Sequence, residues 1–137
     1  ASEFFYKDMY GGLDYEEGLK KLLEGGVDTA IVTLGSEGSV GMTKKDGFFR
    51  TESFRVDVRD TTGAGDVFHG AYIAGLLEGM APRECTVFAS AVAAVKCTCI
   101  GGRTGIPDRS AVERFLQNGE IDRSQMERRL AHYRENF

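Results

Sequence analysis

The chain has 137 residues, and 17 basic against 21 acidic side chains give it a formal net charge of −4 at pH 7. That length suits one domain with its own core, while the acidic balance argues against a nucleic-acid-binding protein, which presents a basic surface. The apolar runs fall short of a membrane span, and the first residues lack the basic and apolar segments of a signal peptide. We therefore expect a cytoplasmic protein that binds neither nucleic acid nor membrane.

The first half of the chain predicts a helix followed by strands. In the first periodic segment leucines fall on one face and charged residues on the other, which is typical of an amphipathic helix that ends at a glycine pair. A continuous apolar run then indicates a buried parallel strand, and the next two runs flank an Asp-Gly pair that favours a hairpin. The predicted elements are a helix at Tyr15–Leu23, strands at Thr29–Leu34, Ser39–Thr43 and Phe48–Thr51, and an extended segment at Phe54–Val58.

The second half of the chain predicts four helices. Small residues such as Gly70 and Gly75 in the first of them allow close contact with a neighbouring helix. Pro82 suits the first turn of the second helix, and Asp108 precedes the third as an N-cap. The predicted helices are Ala64–Leu77, Pro82–Lys96, Arg109–Gln117 and Ser124–Tyr133. The alternation of strands and helices predicts an α/β fold in which helices pack on a sheet.

The three cysteines, Cys85, Cys97 and Cys99, include no CxxC pair. Their odd number indicates neither a disulfide framework nor a zinc site. We expect reduced thiols, as in a cytosolic protein; a metal or redox pair formed by Cys97 and Cys99 is the alternative.

The most informative stretch runs from Asp60 to Asp66, with the sequence Asp-Thr-Thr-Gly-Ala-Gly-Asp. It joins the extended segment to the helix that begins at Ala64, and Gly63 and Gly65 let its backbone approach a ligand closely. The first turn of a helix leaves N–H groups unpaired at its positive end, which is a site for an anion and most often for a phosphate. Asp66 in the same turn is suited to activate a hydroxyl for attack on that phosphate. A plain helix start, with Asp66 as a helix-favouring acid, is the alternative interpretation.

This stretch resembles the signature Asp-Thr-x-Gly-Ala-Gly-Asp of the ribokinase-like (PfkB) family of carbohydrate kinases, and every position matches. The resemblance implies an α/β fold of the ribokinase-like three-layer sandwich type, of which residues 1–137 would form the C-terminal, nucleotide-binding portion without the lid sheet. Since a kinase of this family is about twice as long as this chain, we expect the chain to be part of a larger enzyme.

The resemblance also implies roles for residues of the signature. Asp66 would be the catalytic base, and the amides of Gly63, Ala64, Gly65 and Asp66 would form an anion hole for the transferred phosphoryl group. Asp60 would help to hold a monovalent cation such as K⁺, together with backbone carbonyls that include the one of Thr62.

Two further segments resemble parts of the same family. Thr33-Leu34-Gly35-Ser36-Glu37-Gly38 is similar to the family's second nucleotide loop, in which the Thr33 hydroxyl and the Gly35 backbone would face the ATP phosphates and Gly38 would allow the turn into the next strand. Read alone, this segment is a strand and a tight turn. The small, apolar helix from Phe88 to Val95 would border the adenine pocket, with Ala89 and Ala93 at the nucleotide; read alone, it is a tightly packed core helix.

The loop from Gly101 to Pro107 resembles the family's cation loop, and Gly101 would supply a cation ligand. Gly105 stands where ribokinases often place a serine that supplies a further ligand, and a backbone carbonyl or water could replace that serine. At the other end of the chain, Glu3 matches the acid of an Asn-x-x-Glu pattern in which the glutamate acts on Mg²⁺ through water. A solvated acid at a frayed terminus is the alternative for Glu3.

The resemblance implies an enzyme, a transferase that uses ATP and Mg²⁺ to phosphorylate the hydroxyl of a small-molecule sugar. Phe68-His69-Gly70-Ala71 after the signature is similar to kinases of the fructose and ribose type, and the absence of a Walker A motif excludes a P-loop enzyme. Many members of the family dimerise through the lid, which implies a homodimer for a full-length protein. A nucleoside kinase of the same family and a non-catalytic nucleotide-binding fragment are the alternatives.

Overall fold

Helices lie on both faces of a small antiparallel sheet. The structure, a computed structural model, describes residues 1–136, so that Phe137, the last residue of the expected portion 1–137, lies outside the described residues. No helix within residues 1–136 combines the length and the apolar character needed to cross a membrane. The elements are α1 (Glu3–Tyr10), α2 (Tyr15–Glu24), β1 (Thr29–Thr33), a 3₁₀ turn (Gly35–Glu37), β2 (Ser39–Thr43), β3 (Gly47–Thr51), α3 (Ala64–Leu77), α4 (Pro82–Cys97), α5 (Arg109–Asn118) and α6 (Ser124–Asn136).

The sheet has the order β1-β2-β3, and both strand pairs are antiparallel, with Val32 opposite Val40 and Gly41 opposite Phe49. A connection as short as residues 34–38 permits only antiparallel pairing, because a parallel crossover needs a dozen residues or more. The sequence predicts a parallel strand at β1; in the described part of the chain its parallel pairing is confined to an isolated bridge between Ser2 and Thr33. The hairpin of β2 and β3 is confirmed.

Three layers result from this packing, as the resemblance implies. On one face, α1 and α2 cover an apolar cluster of buried residues, which comprises Tyr6, Leu19, Ala30, Val32, Leu34, Val40 and Met42. On the other face α4 crosses β2 and β3, where the hydroxyls of Thr51 and Thr86 form a buried hydrogen bond of 2.8 Å. The small residues of α3 let it pack closely along α4. The start of α3 is thereby held beside the end of β1.

Helix α1 is the element that the sequence reasoning missed. Ser2 caps it by accepting a hydrogen bond of 3.3 Å from the amide of Phe5, and Tyr6 is buried with its hydroxyl 2.5 Å from the carbonyl oxygen of Asp14. Glu3 therefore lies in the first turn of a helix, so that the alternative interpretation of a frayed terminus is wrong. The other helices begin as predicted and end within three residues of their predicted ends.

The segment from Phe54 to Val58, expected to be extended, belongs to no strand of the sheet. The rings of Phe54 and Phe115 pack together with centroids 5.2 Å apart and planes tilted by 59°, and Val56 packs against the apolar cluster between α4 and α5. These contacts position the segment in the absence of a described neighbouring strand, and they lead the chain directly into the signature at Asp60.

Candidate functional site

The start of α3 separates two cavities. The strand-side cavity, of about 650 Å³, is lined by the β1–β2 connection, the extended segment, the start of α3 and one stripe of α4. The helix-side cavity, of about 740 Å³, runs along α3 towards α5 and the loop at residues 102–107. Thr61, Ala64 and Gly65 face the first cavity, whereas Thr62, Gly63 and Asp66 face the second. The signature is thus the wall between them.

The backbone at this wall presents unpaired N–H groups. Gly63 is the N-cap of α3 in a left-handed conformation, with φ +74°, and it has no side chain that could cap the helix. Among residues 1–136, no acceptor takes the amide protons of Gly63, Gly65 or Asp66. The amide of Ala64 differs from the sequence expectation, because it donates to the Thr61 carbonyl at 3.0 Å and so closes the turn. Three amides, rather than four, are therefore available to an anion at the positive end of the helix.

The carboxylate of Asp66 is exposed and lines the helix-side cavity. It has no hydrogen bond or ion pair with any described residue, so both oxygens remain free to accept a proton or a hydrogen bond. Arg103 lines the same cavity and is exposed, and its guanidinium also has no partner among residues 1–136. Sequence reasoning missed Arg103, because nothing in a loop sequence indicates that it faces the start of α3.

The second predicted loop lies opposite the signature across the strand-side cavity. Thr33, Gly35 and Gly38 all line that cavity together with Gly65. Gly35 opens the 3₁₀ turn with φ +60°, and Gly38 closes it with φ +88°. A Cβ at Gly38 would overlap the carbonyl oxygen of Thr51, so glycine is required there. The structure thus brings together the two loops that lie about thirty residues apart in the sequence.

Helix α4 supplies the wall of the same cavity. Ala93 lines it, together with Ser90, Ala94 and Cys97, at the spacing of one helical stripe. Ala89 does not line the cavity; it is fully buried one turn earlier. Burial raises the pKa of the Cys97 thiol, and all three cysteines are free.

Asp60 ties the signature to the loop after α4. Its carboxylate accepts hydrogen bonds from the amides of Thr62, at 2.8 Å, and Gly101, at 2.7 Å. These bonds, chiefly those from Thr62, lower the pKa of Asp60 to about 2. Two of the expected cation ligands, Asp60 and Gly101, are thus hydrogen-bonded to each other.

A buried lysine lies beside this turn. Lys96 is 0% exposed, and its ammonium donates to the carbonyl of Asp60 at 3.0 Å and to the carbonyl of Thr62. The sequence alone does not single out Lys96, because a lysine near a helix end is usually solvated. The signal that could have found it is its place between apolar neighbours, Val95 and Cys97.

Glu3 lies apart from this site. Its carboxylate pairs with Lys7 at 2.6 Å and accepts from the hydroxyl of Tyr15 at 2.8 Å, and these partners lower its pKa. It lines neither cavity. The structure therefore does not bring Glu3 together with the other predicted site residues.

Comparison with known proteins gives consistent matches. The model of the pfkB family of carbohydrate kinases matches residues 8–109. The ribokinase of Haemophilus influenzae is 36% identical over 93 residues, which are 68% of this chain and 30% of that protein. The structure of ribokinase from Thermotoga maritima matches with a TM-score of 0.76 and 39% identity, over 85% of this chain and 41% of that one. The structure of Arabidopsis thaliana ribokinase complexed with ribose and ATP matches with a TM-score of 0.76 and 30% identity, over 85% and 39%.

The chain thus spans between 30% and 41% of the length of these relatives. The family match includes both loops of the strand-side cavity and the whole signature, and the fold agrees over most of the chain. This chain therefore belongs to the pfkB family of carbohydrate kinases.

Proposed function

We propose that this chain is the C-terminal, nucleotide-binding portion of a sugar kinase that transfers the γ-phosphoryl group of ATP to a sugar hydroxyl. The observation that carries the proposal is the meeting of three unpaired amides and an unpaired carboxylate, that of Asp66, on the wall between two cavities. Phosphoryl transfer needs both kinds of group, because negative charge develops on the phosphoryl oxygens while the attacking hydroxyl loses its proton.

The nucleotide belongs in the strand-side cavity. A volume of about 650 Å³ lies within the usual range for a small-molecule site. The phosphates would lie between the Thr33–Gly38 loop and the start of α3, where the Gly65 amide is an unpaired donor. The Thr33 hydroxyl, which donates to the Ala1 carbonyl oxygen at 3.4 Å, would have to turn towards the phosphates to become a second donor. The stripe of α4 that contains Ala93 offers an apolar surface to the base. The complex of the related ribokinase of Arabidopsis thaliana with ribose and ATP supports the choice of ATP as the nucleotide.

Asp66 would act from the other side of the wall. An acceptor hydroxyl there would form a bond to the γ-phosphorus while the bond to the leaving ADP oxygen breaks, and its proton would move to the Asp66 carboxylate. The amides of Gly63, Gly65 and Asp66 would hold the charge on the transferred group. Such a wall keeps donor and acceptor in line on opposite faces of one loop.

Mg²⁺ bound with the nucleotide would neutralise part of the phosphate charge. Within residues 1–136, no three His, Cys, Asp or Glu side chains come together as a metal-binding group. Nucleotide phosphates and water would therefore supply most of its ligands, as is usual for Mg²⁺ in kinases. The role of Glu3 through water remains a prediction.

The acceptor is proposed to be a sugar of the ribose or fructose type. The ribokinases among the relatives support this class. A nucleoside acceptor and a non-catalytic nucleotide-binding role remain the competing interpretations, and a homodimer in the cytoplasm remains a prediction. Screening ribose, fructose and nucleosides for ADP release by the full-length gene product would distinguish the three.

The first test is a calorimetric titration of the chain with a non-hydrolysable ATP analogue and Mg²⁺. Saturable binding at one site is the expected result. If neither the chain nor the full-length gene product bound the analogue, the proposed function would be wrong.

Replacing Gly65 with alanine is expected to weaken nucleotide binding without harming the fold. A Cβ at Gly65 meets no protein atom within 4 Å, and Gly65 lines the strand-side cavity. With a nucleotide bound there, one overpacked methyl costs about 1–3 kcal/mol, or roughly tenfold or more in affinity. Gly12→Ala is the matched control, since Gly12 also has open space around it but lies in the turn before α2. Equal affinities for the two variants would contradict the placement of the nucleotide.

A further inference from the structure

The ammonium of Lys96 occupies an unusual environment. The residue lies in the last turn of α4 and is 0% exposed. A buried charge is stable only when it is paired or hydrogen-bonded. Within residues 1–136, no acidic side chain lies within ion-pair distance of Lys96, although the Asp60 carboxylate interacts with it electrostatically; its ammonium donates to the backbone carbonyls of Asp60 and Thr62. A cation held by carbonyl oxygens is the arrangement of a binding site for a monovalent metal ion.

These carbonyls are where the resemblance expects the monovalent cation. The loop after α4, which contains Gly105, also leaves no space for a cation ligand. A Cβ at Gly105 would lie 2.5 Å from the carbonyl oxygen of Lys96 and 2.8 Å from the Cβ of Cys99, so this position has no room for the serine that would supply a further ligand. Lys96 thus occupies the carbonyl ligands of the expected cation, and the packing around Gly105 excludes the further side-chain ligand. The residues present therefore do not fit a K⁺ ion.

We propose that the ammonium of Lys96 replaces the monovalent cation and makes nucleotide binding and phosphoryl transfer independent of K⁺. This inference rests on the proposed function, because it assigns Lys96 to the loop that would hold the transferred phosphoryl group. Lys96 is a positioning residue: it lines neither cavity and acts through the backbone.

The geometry of the peptide bond explains how Lys96 acts. The C=O of Thr62 and the N–H of Gly63 belong to one peptide unit, which is trans, so they point in opposite directions. By drawing the Thr62 carbonyl inwards, Lys96 turns the Gly63 amide outwards, towards the anion. The same turn is fixed from its other end, since the Cys97 carbonyl accepts from the amides of Arg59 at 2.8 Å and Asp60 at 3.1 Å.

The unmodified protein provides the first test. The affinity of the chain for the ATP analogue with Mg²⁺, and the turnover of the full-length gene product, should agree within about twofold in potassium chloride and in choline chloride. A stimulation by K⁺ of about tenfold or more, which corresponds to about 1.4 kcal/mol, would overturn the inference and leave the proposed function intact. Absence of nucleotide binding in both salts would instead remove the proposed function, and this inference with it.

Variants of Lys96 provide the second test. Lys96→Ala should lower turnover by roughly 10²-fold, as for loss of an anion-hole donor, and K⁺ or NH₄⁺ should restore much of it because the vacated space and the two carbonyls admit a cation. Li⁺, which is much smaller, should not. Lys96→Met is the matched control, since it fills the space without a charge and should not respond to K⁺. A folded Lys96→Ala protein that kept full turnover, or that K⁺ failed to rescue, would contradict the inference; if the variant does not fold, the comparison of salts on the unmodified protein decides.

Discussion

Asp66→Asn is expected to lower the turnover of the full-length gene product by about 10²–10⁴-fold, the usual contribution of a general base. Asparagine has nearly the same size as aspartate, but its amide cannot take a proton from the acceptor hydroxyl. Affinity for the ATP analogue should change by less than about threefold, because Asp66 faces the helix-side cavity whereas the nucleotide is assigned to the strand-side cavity.

Single-turnover kinetics and calorimetry on the same protein would check both halves of this prediction. Asp8→Asn is a suitable control, because Asp8 is also exposed and its carboxylate has no partner among the described residues, but it lies on α1. It should leave both quantities unchanged. Near-normal phosphorylation by Asp66→Asn would refute the assignment of the base. An equal loss of nucleotide affinity and turnover would show that the nucleotide does not bind in the strand-side cavity.

Local signals made the start of α3 predictable from the sequence. Gly63 can adopt the left-handed conformation found at the helix start, and the apolar stretch that follows it contains no proline, so the bounds Ala64–Leu77 are as predicted. The same local reasoning failed for the Ala64 amide, which was expected to be free to bind an anion. Whether the Ala64 amide is free depends on how tightly the turn closes on Thr61, and that distance is a property of the folded backbone.

Long-range contacts account for most of what sequence reasoning missed. Lys96 looks like an ordinary helix-end lysine until the fold places its ammonium against carbonyls more than thirty residues earlier in the chain. The sequence indicates an extended conformation for Phe54–Val58, but a strand also needs a neighbour, and the sheet formed by the described residues ends at β3. Helix α1 depends on Tyr6 reaching α2, which no periodicity within its eight residues reveals.

Gly38→Ala is expected to destabilise the chain by about 3 kcal/mol or more, which is enough to unfold a marginally stable domain. Two costs combine at this position. The conformation, with φ +88° and ψ −127°, is one that only glycine adopts readily, and the added Cβ would overlap the carbonyl oxygen of Thr51 and lie 2.8 Å from the amide nitrogen of Ser53.

Gly35→Ala separates these two costs. Gly35 also has a positive φ, +60°, but an added Cβ there meets no atom within 4 Å. The Gly35→Ala protein should therefore be destabilised only by the conformational cost of about 1–2 kcal/mol. Urea unfolding of both variants measures the difference between their free energies of unfolding. Equal losses of stability would mean that the turn at Gly38 can move away from Thr51. In that case the strand-side cavity would have a mobile wall at Gly38, and nucleotide binding by the Gly38→Ala protein should survive; if the wall is rigid, stability and binding should be lost together.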